Sequence, residues 1–251
     1  SVLLADGKHV YGKHFISNMH PVTTLEMTET SMIKSAYRSR VKSLENSIGG
    51  FVINIVFKKD SFKYLKNNFY CNKEEHIWSL TEYTEESWPL AYAVFFSASS
   101  KSEEYAESMT ILAYMKYEDV KEWAGTFNTV SAEAGRGEEY EAFKKRKAEK
   151  LLNLAEEKFP GLKESIKTYY TATPLSYRDY IGNHDGSMYG IVKDYRNPLK
   201  TFISPRTKVP NLYLTGQNLN LHGILGATMS GLVTCVAFLG NEEIVEKIRN
   251  A

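Results

Sequence analysis

Residues 209–240 hold the combination of types best suited to chemistry in this sequence. Val209-Pro210-Asn211-Leu212-Tyr213-Leu214-Thr215 reads as a buried strand, Gly216 follows at once, and after Gln217-Asn218-Leu219-Asn220-Leu221-His222 a second glycine, Gly223, opens an apolar helix. A strand, a glycine turn and a helix start are the grammar of a nucleotide site. Glycine lets a ligand approach the backbone, and the helix start offers unpaired N–H groups and the positive end of a dipole. Gly226, Ala227, Ser230 and Gly231 give the helix a small-residue face against which a bulky group can lie. The same pattern also describes a glycine-faced helix packed on a sheet with no ligand. No GxGxxG occurs, so the primary dinucleotide fingerprint is absent from this sequence.

Other chemistry is sparsely signalled. His9, His14, His20, His76, His184 and His222 show neither HExxH nor paired metal spacing, and no metal site is expected. There is no GxSxG. Cys71 and Cys235 are too few for a disulfide framework and too far apart for a metal knuckle, and Cys235, on the apolar helix, reads as a buried, inert thiol. The chain has 31 Lys+Arg against 30 Asp+Glu, a balance that argues against a nucleic-acid binder. The run Lys144-Lys145-Arg146-Lys147 reads as a solvated helix face. Gly223 to Gly240 is about long enough for a membrane span but is diluted by small and hydroxyl residues, and a buried helix is expected.

The elements that must position these residues follow from periodicity. Strands occupy 2–17, joined by an Asp6-Gly7 hairpin turn with positive φ at both central residues. Ile33, Tyr37, Val41 and Leu44 predict an amphipathic helix over 29–45. Phe51, Ile53, Ile55 and Phe57 share one face of a strand, and further strands are expected at 76–82, 89–97, 109–116 and 166–173. A short helix is expected at 117–124, and the longest at 138–158, ended by Phe159-Pro160-Gly161. Residues 174–210 read as loops, and 241–250 as a closing helix. This order is mixed α+β rather than a regular βαβ series.

Three stretches resemble a known family. Asn211 to Gln217, then Gly223-Ile224-Leu225-Gly226-Ala227 and Ser230-Gly231, is similar to the C-terminal FAD motif of phytoene desaturase-like flavoproteins, a group that includes carotenoid desaturases, carotenoid isomerases and retinol saturases. Thr173 to Tyr180 with Gly186-Ser187-Met188-Tyr189-Gly190 is similar to the segment returning from substrate domain to flavin, and Phe15 to Pro21 to the strand leaving the FAD domain.

The resemblance implies the C-terminal part of a two-domain FAD-dependent oxidoreductase, with the Rossmann-type fingerprint in an upstream half. Residues 1–24 and 174–251 would belong to a Rossmann-like FAD/NAD(P)-binding domain, and 25–173 to a substrate domain built on a mixed, largely antiparallel sheet. It assigns Gly216, Gln217, Gly223, Ile224, Leu225 and Gly226 to the cofactor, and Tyr177 and Tyr189 to substrate. Relatives often carry an acidic residue where Gln217 stands. The helix start at Gly223, Ile224 and Leu225 would face the flavin edge that gains charge on reduction. Phe51, Phe57, Trp78, Tyr92, Phe95 and Phe96 would line a tunnel for an apolar polyene, or else simply pack the core. The partners implied are an apolar small molecule and the upstream half, with a cytoplasmic, at most membrane-peripheral setting; the chain alone is expected to lack turnover. A non-enzymatic apolar-ligand module, amine oxidation and redox-neutral isomerisation are the alternatives.

Overall fold

The Asp6-Gly7 turn joins β1 (Val2–Leu3) to β2 (His9–Val10), with Leu3 opposite His9. Its geometry departs from the expected two-residue turn. Of the two residues only Gly7 has positive φ; the Gly7 N–H donates to the Leu4 carbonyl at 3.0 Å, and the Leu4 N–H to the Lys8 carbonyl at 2.9 Å. The loop has three residues rather than two, so a single left-handed glycine suffices.

The computed structural model describes residues 1–73, 77–100, 102–129 and 135–250. They form two compact units, one of Ser1–Ser47, Gly182–His184 and Tyr189–Ala251, the other of Ile48–Ile181 and Asp185–Met188. The main crossings between the units fall at 47/48 and 181/182.

In the first unit β3 (Phe15–Ser17) leads to α1 (Pro21–Glu26) and α2 (Ser35–Lys42). Pro21 sits in the first turn of α1, where its missing N–H costs nothing. The helix expected over 29–45 is shorter. Thr30 Oγ1 accepts from the Met32 N–H, holding 30–32 in a turn, and the Arg38 guanidinium donates to the Leu25 carbonyl in the last turn of α1 and to the Thr28 carbonyl just past it.

The second unit is built on an antiparallel sheet of β4 (Gly49–Phe57), β5 (Phe69–Asn72), β6 (Ala91–Ser99), β7 (Ser102–Met115) and a later strand, β8. Between β7 and β8 run α3 (Glu138–Lys158) and α4 (Leu162–Ser165). β8 (Ile166–Ala172) completes the order β5-β6-β7-β4-β8, and α5 (Pro174–Ile181) follows. α3 has the expected bounds, with Glu138, Glu139 and Glu141 at its positive end. The period-2 pattern of β4, β6 and β7 decides which aromatic residues are core. Phe51, Phe57, Tyr92 and Phe96 are buried in one cluster with Tyr140, Phe143 and Leu151 of α3, so they do not line a tunnel. Phe95 lies on the opposite sheet face, its ring 6.1 Å from that of Tyr70.

Several expectations in this unit are corrected. The strand expected at 76–82 begins at His76, which lies outside the described residues. Ile77–Ser79 is a 3-10 turn with Trp78 89% exposed, and the Glu82 N–H bonds the Ser79 carbonyl instead of a ladder partner. The short helix expected at 117–124 is present over Tyr117–Trp123, wound as 3-10. The basic run is not all solvated. Lys147 is buried, pairs with Glu85 at 2.7 Å and lies 4.4 Å from the Trp88 ring centroid. The loop expected from 174 is helical at its start: Thr173 Oγ1 accepts from the Leu175 N–H at 3.2 Å and Pro174 opens the turn, a Thr-Pro start that the sequence carries.

The chain then returns to the first unit through α6 (Pro198–Thr201), β9 (Leu212–Leu214), α7 (Gly223–Leu239) and α8 (Asn241–Arg249). β9 pairs parallel with β3, Leu214 opposite Ser17. It is shorter than 209–215 because Thr207 Oγ1 accepts from the Val209 N–H and the Leu212 N–H bonds the Val209 carbonyl, closing a turn. The unit's core gathers Val22, Leu25, Ile33, Val41, Ile203, Leu214 and Leu219.

Candidate functional site

The β9–α7 connection lies wholly in the first unit. The Thr215 N–H continues the β3 pairing by donating to the Ser17 carbonyl at 2.9 Å, and Gly216 then turns with φ +92°. A Cβ at Gly216 would collide with Asn18 Oδ1. What comes close to this glycine is a side chain of the chain itself. Gly226 has a similar explanation, since a Cβ there would strike the Leu221 carbonyl where the loop folds into the helix.

The helix start is different. Gly223 has φ +76° and open space where a Cβ would stand, His222 makes no side-chain cap bond, and there is no acidic residue in the first turn. Ile224 is 90% and Leu225 72% exposed. The first-turn amides of a helix have no intrahelical partner, so this end is a source of positive potential open to an electron-rich group.

α7 is not the buried helix expected. Gly226, Ser230 and Thr234 are buried along a single stripe at four-residue spacing, and Thr234 Oγ1 donates to the Leu214 carbonyl at 3.0 Å. The small residues therefore bring the helix onto its own strand β9. Ala227 stands outside that stripe, and so do Met229 and Cys235, both exposed; Cys235 is not the buried thiol expected. No helix among the described residues is long and apolar enough to cross a membrane.

A second segment, 189–193, is stitched to the connection. The Tyr189 ring stacks on His222 with centroids 4.5 Å apart. The Ile191 N–H donates to Asn218 Oδ1 at 3.0 Å, over Gly190, where a Cβ would collide with that same oxygen. Lys193 Nζ donates to the Asn218 carbonyl at 2.6 Å and to the Leu219 carbonyl at 3.1 Å. Burial pulls the Lys193 ammonium down to about 8.

Of the expected site residues, Gly216, Gln217, Gly223, Ile224, Leu225, Gly226 and Tyr189 thus all lie in this unit, whereas Tyr177 lies on α5 of the other. Asn18, Asn218 and Lys193 were not legible as site residues. The available signal was indirect: Gly190 and Gly216 each make room for an asparagine distant in sequence.

No family model matches the chain. It is similar to all-trans-retinol 13,14-reductases. The zebrafish (Danio rerio) protein of that name is 27% identical over 192 residues, which is 73% of this chain and 30% of the relative. The Macaca fascicularis protein is 27% identical over 173 residues, 66% of this chain and 28% of the relative. A second zebrafish protein, named inactive all-trans-retinol 13,14-reductase, is 30% identical over 181 residues, 68% and 28% of the two chains. The chain thus spans less than a third of the length of these curated relatives.

Proposed function

We propose that this chain is the flavin-facing C-terminal part of an FAD-dependent oxidoreductase acting on an apolar polyene of the retinoid or carotenoid class. The observation that carries this reading is the open, uncharged amino end of α7, in a chain similar to retinol 13,14-reductases.

The residues suit an isoalloxazine edge at the helix start better than at the turn. Gly223, Ile224 and Leu225 present amides without a competing carboxylate, while the approach to Gly216 is taken by Asn18. A bound flavin supplies the hydride chemistry; the protein supplies position and field. The α7 amides and dipole end favour electron density at the ring edge they face. Ile224 and Leu225, both exposed, would cover that edge against water, and the Tyr189–His222 stack ties the loop before the helix. The dinucleotide-binding half would be contributed from upstream, and the apolar substrate would reach the protein from solution or a membrane surface.

The test is the intact protein. Purified full-length protein should carry the absorbance of bound flavin, and incubation with retinol and with a carotenoid precursor, followed by product analysis, should show gain or loss of a double bond in one. A flavin-free full-length protein that cannot be loaded overturns the reading.

A non-enzymatic apolar-ligand module is the second reading. The sheet face opposite α3, carrying Tyr70, Phe95, Leu112 and Tyr170, is the observation that favours it, as is the similarity to a relative named inactive. Apolar ligand extracted from flavin-free protein would support it.

A further inference from the structure

The loop that leads to the proposed flavin edge is held by a lysine that no part of that reading uses. Lys193 is tied to two successive backbone carbonyls, those of Asn218 and Leu219, in the connection that delivers α7. Among the described residues no carboxylate forms an ion pair with it. Asp194, its neighbour in sequence, accepts instead from the Arg196 and Asn197 N–H groups at 3.0 and 3.1 Å. The other titratable side chains of the two segments, Tyr189 and His222, are stacked on each other. The ammonium is therefore held by main-chain oxygens alone, and its charge serves the loop rather than another side chain.

This arrangement has a mechanical consequence. The side chain of Asn218 reaches one way, accepting from the Ile191 amide, while its carbonyl and the next are gripped from the other side by Lys193. The Leu219 N–H is spent within the loop on the Gly216 carbonyl at 3.2 Å. The connection between a left-handed Gly216 and a left-handed Gly223 is thus fixed at its middle by an element remote in sequence.

We infer that Lys193 is a positioning residue that holds loop 217–222, and through it the amino end of α7, in the orientation that receives the flavin edge. The inference rests on the flavin reading of that helix start. Its mechanical part stands on the hydrogen bonds alone, so the two can fail separately.

Amide hydrogen exchange on the intact protein reads the mechanical part at Leu219 and Ile191. In Lys193→Met, whose side chain has similar length and no donor, protection at both amides should fall about tenfold, as for loss of a charge-assisted hydrogen bond. Lys193→Arg, which keeps the donors, should restore most of it, a rescue that a mere packing role would not give. Flavin affinity measured on the same proteins should weaken in parallel in Lys193→Met. Unchanged amides in a folded Lys193→Met overturn the inference. Loosened amides with unchanged flavin affinity keep the clamp and overturn the flavin reading of the loop. Should Lys193→Met fail to fold, Lys193→Gln, with a shorter and neutral side chain, is read at the same two amides, and intact protection there overturns the clamp.

Discussion

The side-chain oxygen of Asn218 accepts the Ile191 N–H at 3.0 Å across a glycine whose missing Cβ makes room for it. Gly190 has φ +71°, so a substituted residue is strained twice, by its backbone and by the collision. Gly190→Ala should lower the stability of the first unit by about 1–3 kcal/mol. Removing the asparagine side chain as well should leave only the backbone part. Denaturant midpoints of Gly190→Ala, Asn218→Ala and the double variant form the cycle that measures the difference.

In the second unit the fully buried carboxylate of Asp179 accepts from Arg136, from Arg178 at 2.6 Å and from the Asn128 N–H at 2.9 Å. Burial alone would raise its pKa, but these bonds outweigh it and hold the carboxyl below its ordinary range. A depressed acid stabilises the fold above its unfolded value, near 3.9, and that contribution is lost as pH falls through the lower folded value. Acid unfolding should therefore move to higher pH in Asp179→Asn. The variant should also lose about 3–5 kcal/mol at neutral pH, because two arginines are left facing no charge. Circular dichroism across a pH series checks both.

Lys193 acts with the same sign in an alkaline window. Its folded value, about 8, lies below the ordinary 10.5, so the folded state gives up the proton first. Unfolding then takes up a proton between those values, and stability should rise as the pH climbs through that window. Urea midpoints at the two ends of the window should differ in the native protein and converge in Lys193→Met, after allowance for the other lysines.

The start of α7 separates binding from stability. A carboxylate near a helix amino end stabilises it by about 0.3–1 kcal/mol. Ile224→Asp should therefore leave the melting temperature equal or slightly higher. The same charge would oppose the electron-rich ring edge proposed to dock there, and flavin affinity should fall at least tenfold. Equal affinity in the variant and native proteins would place the cofactor elsewhere.

Periodicity and local side-chain rules determine much of this protein from its sequence. The α3 bounds followed from an apolar stripe ended by Phe159-Pro160-Gly161, and the facing of Phe51, Ile53, Ile55 and Phe57 from a strict alternation. Such features depend on neighbours in sequence, where spacing fixes geometry. The strand, glycine turn and helix start at 212–223 were legible for the same reason.

The roles within that motif were not. Gly216 yields to Asn18, Gly190 to Asn218, and the small residues of α7 to the strand β9, all through contacts between residues far apart in the chain. A glycine in sequence announces only that something must come close. Whether a ligand or the protein's own side chain fills the space depends on where the fold returns the rest of the chain. By the same logic Lys193, unremarkable among the basic residues, becomes partly buried and distinctive only once segment 189–193 lies against the loop before α7.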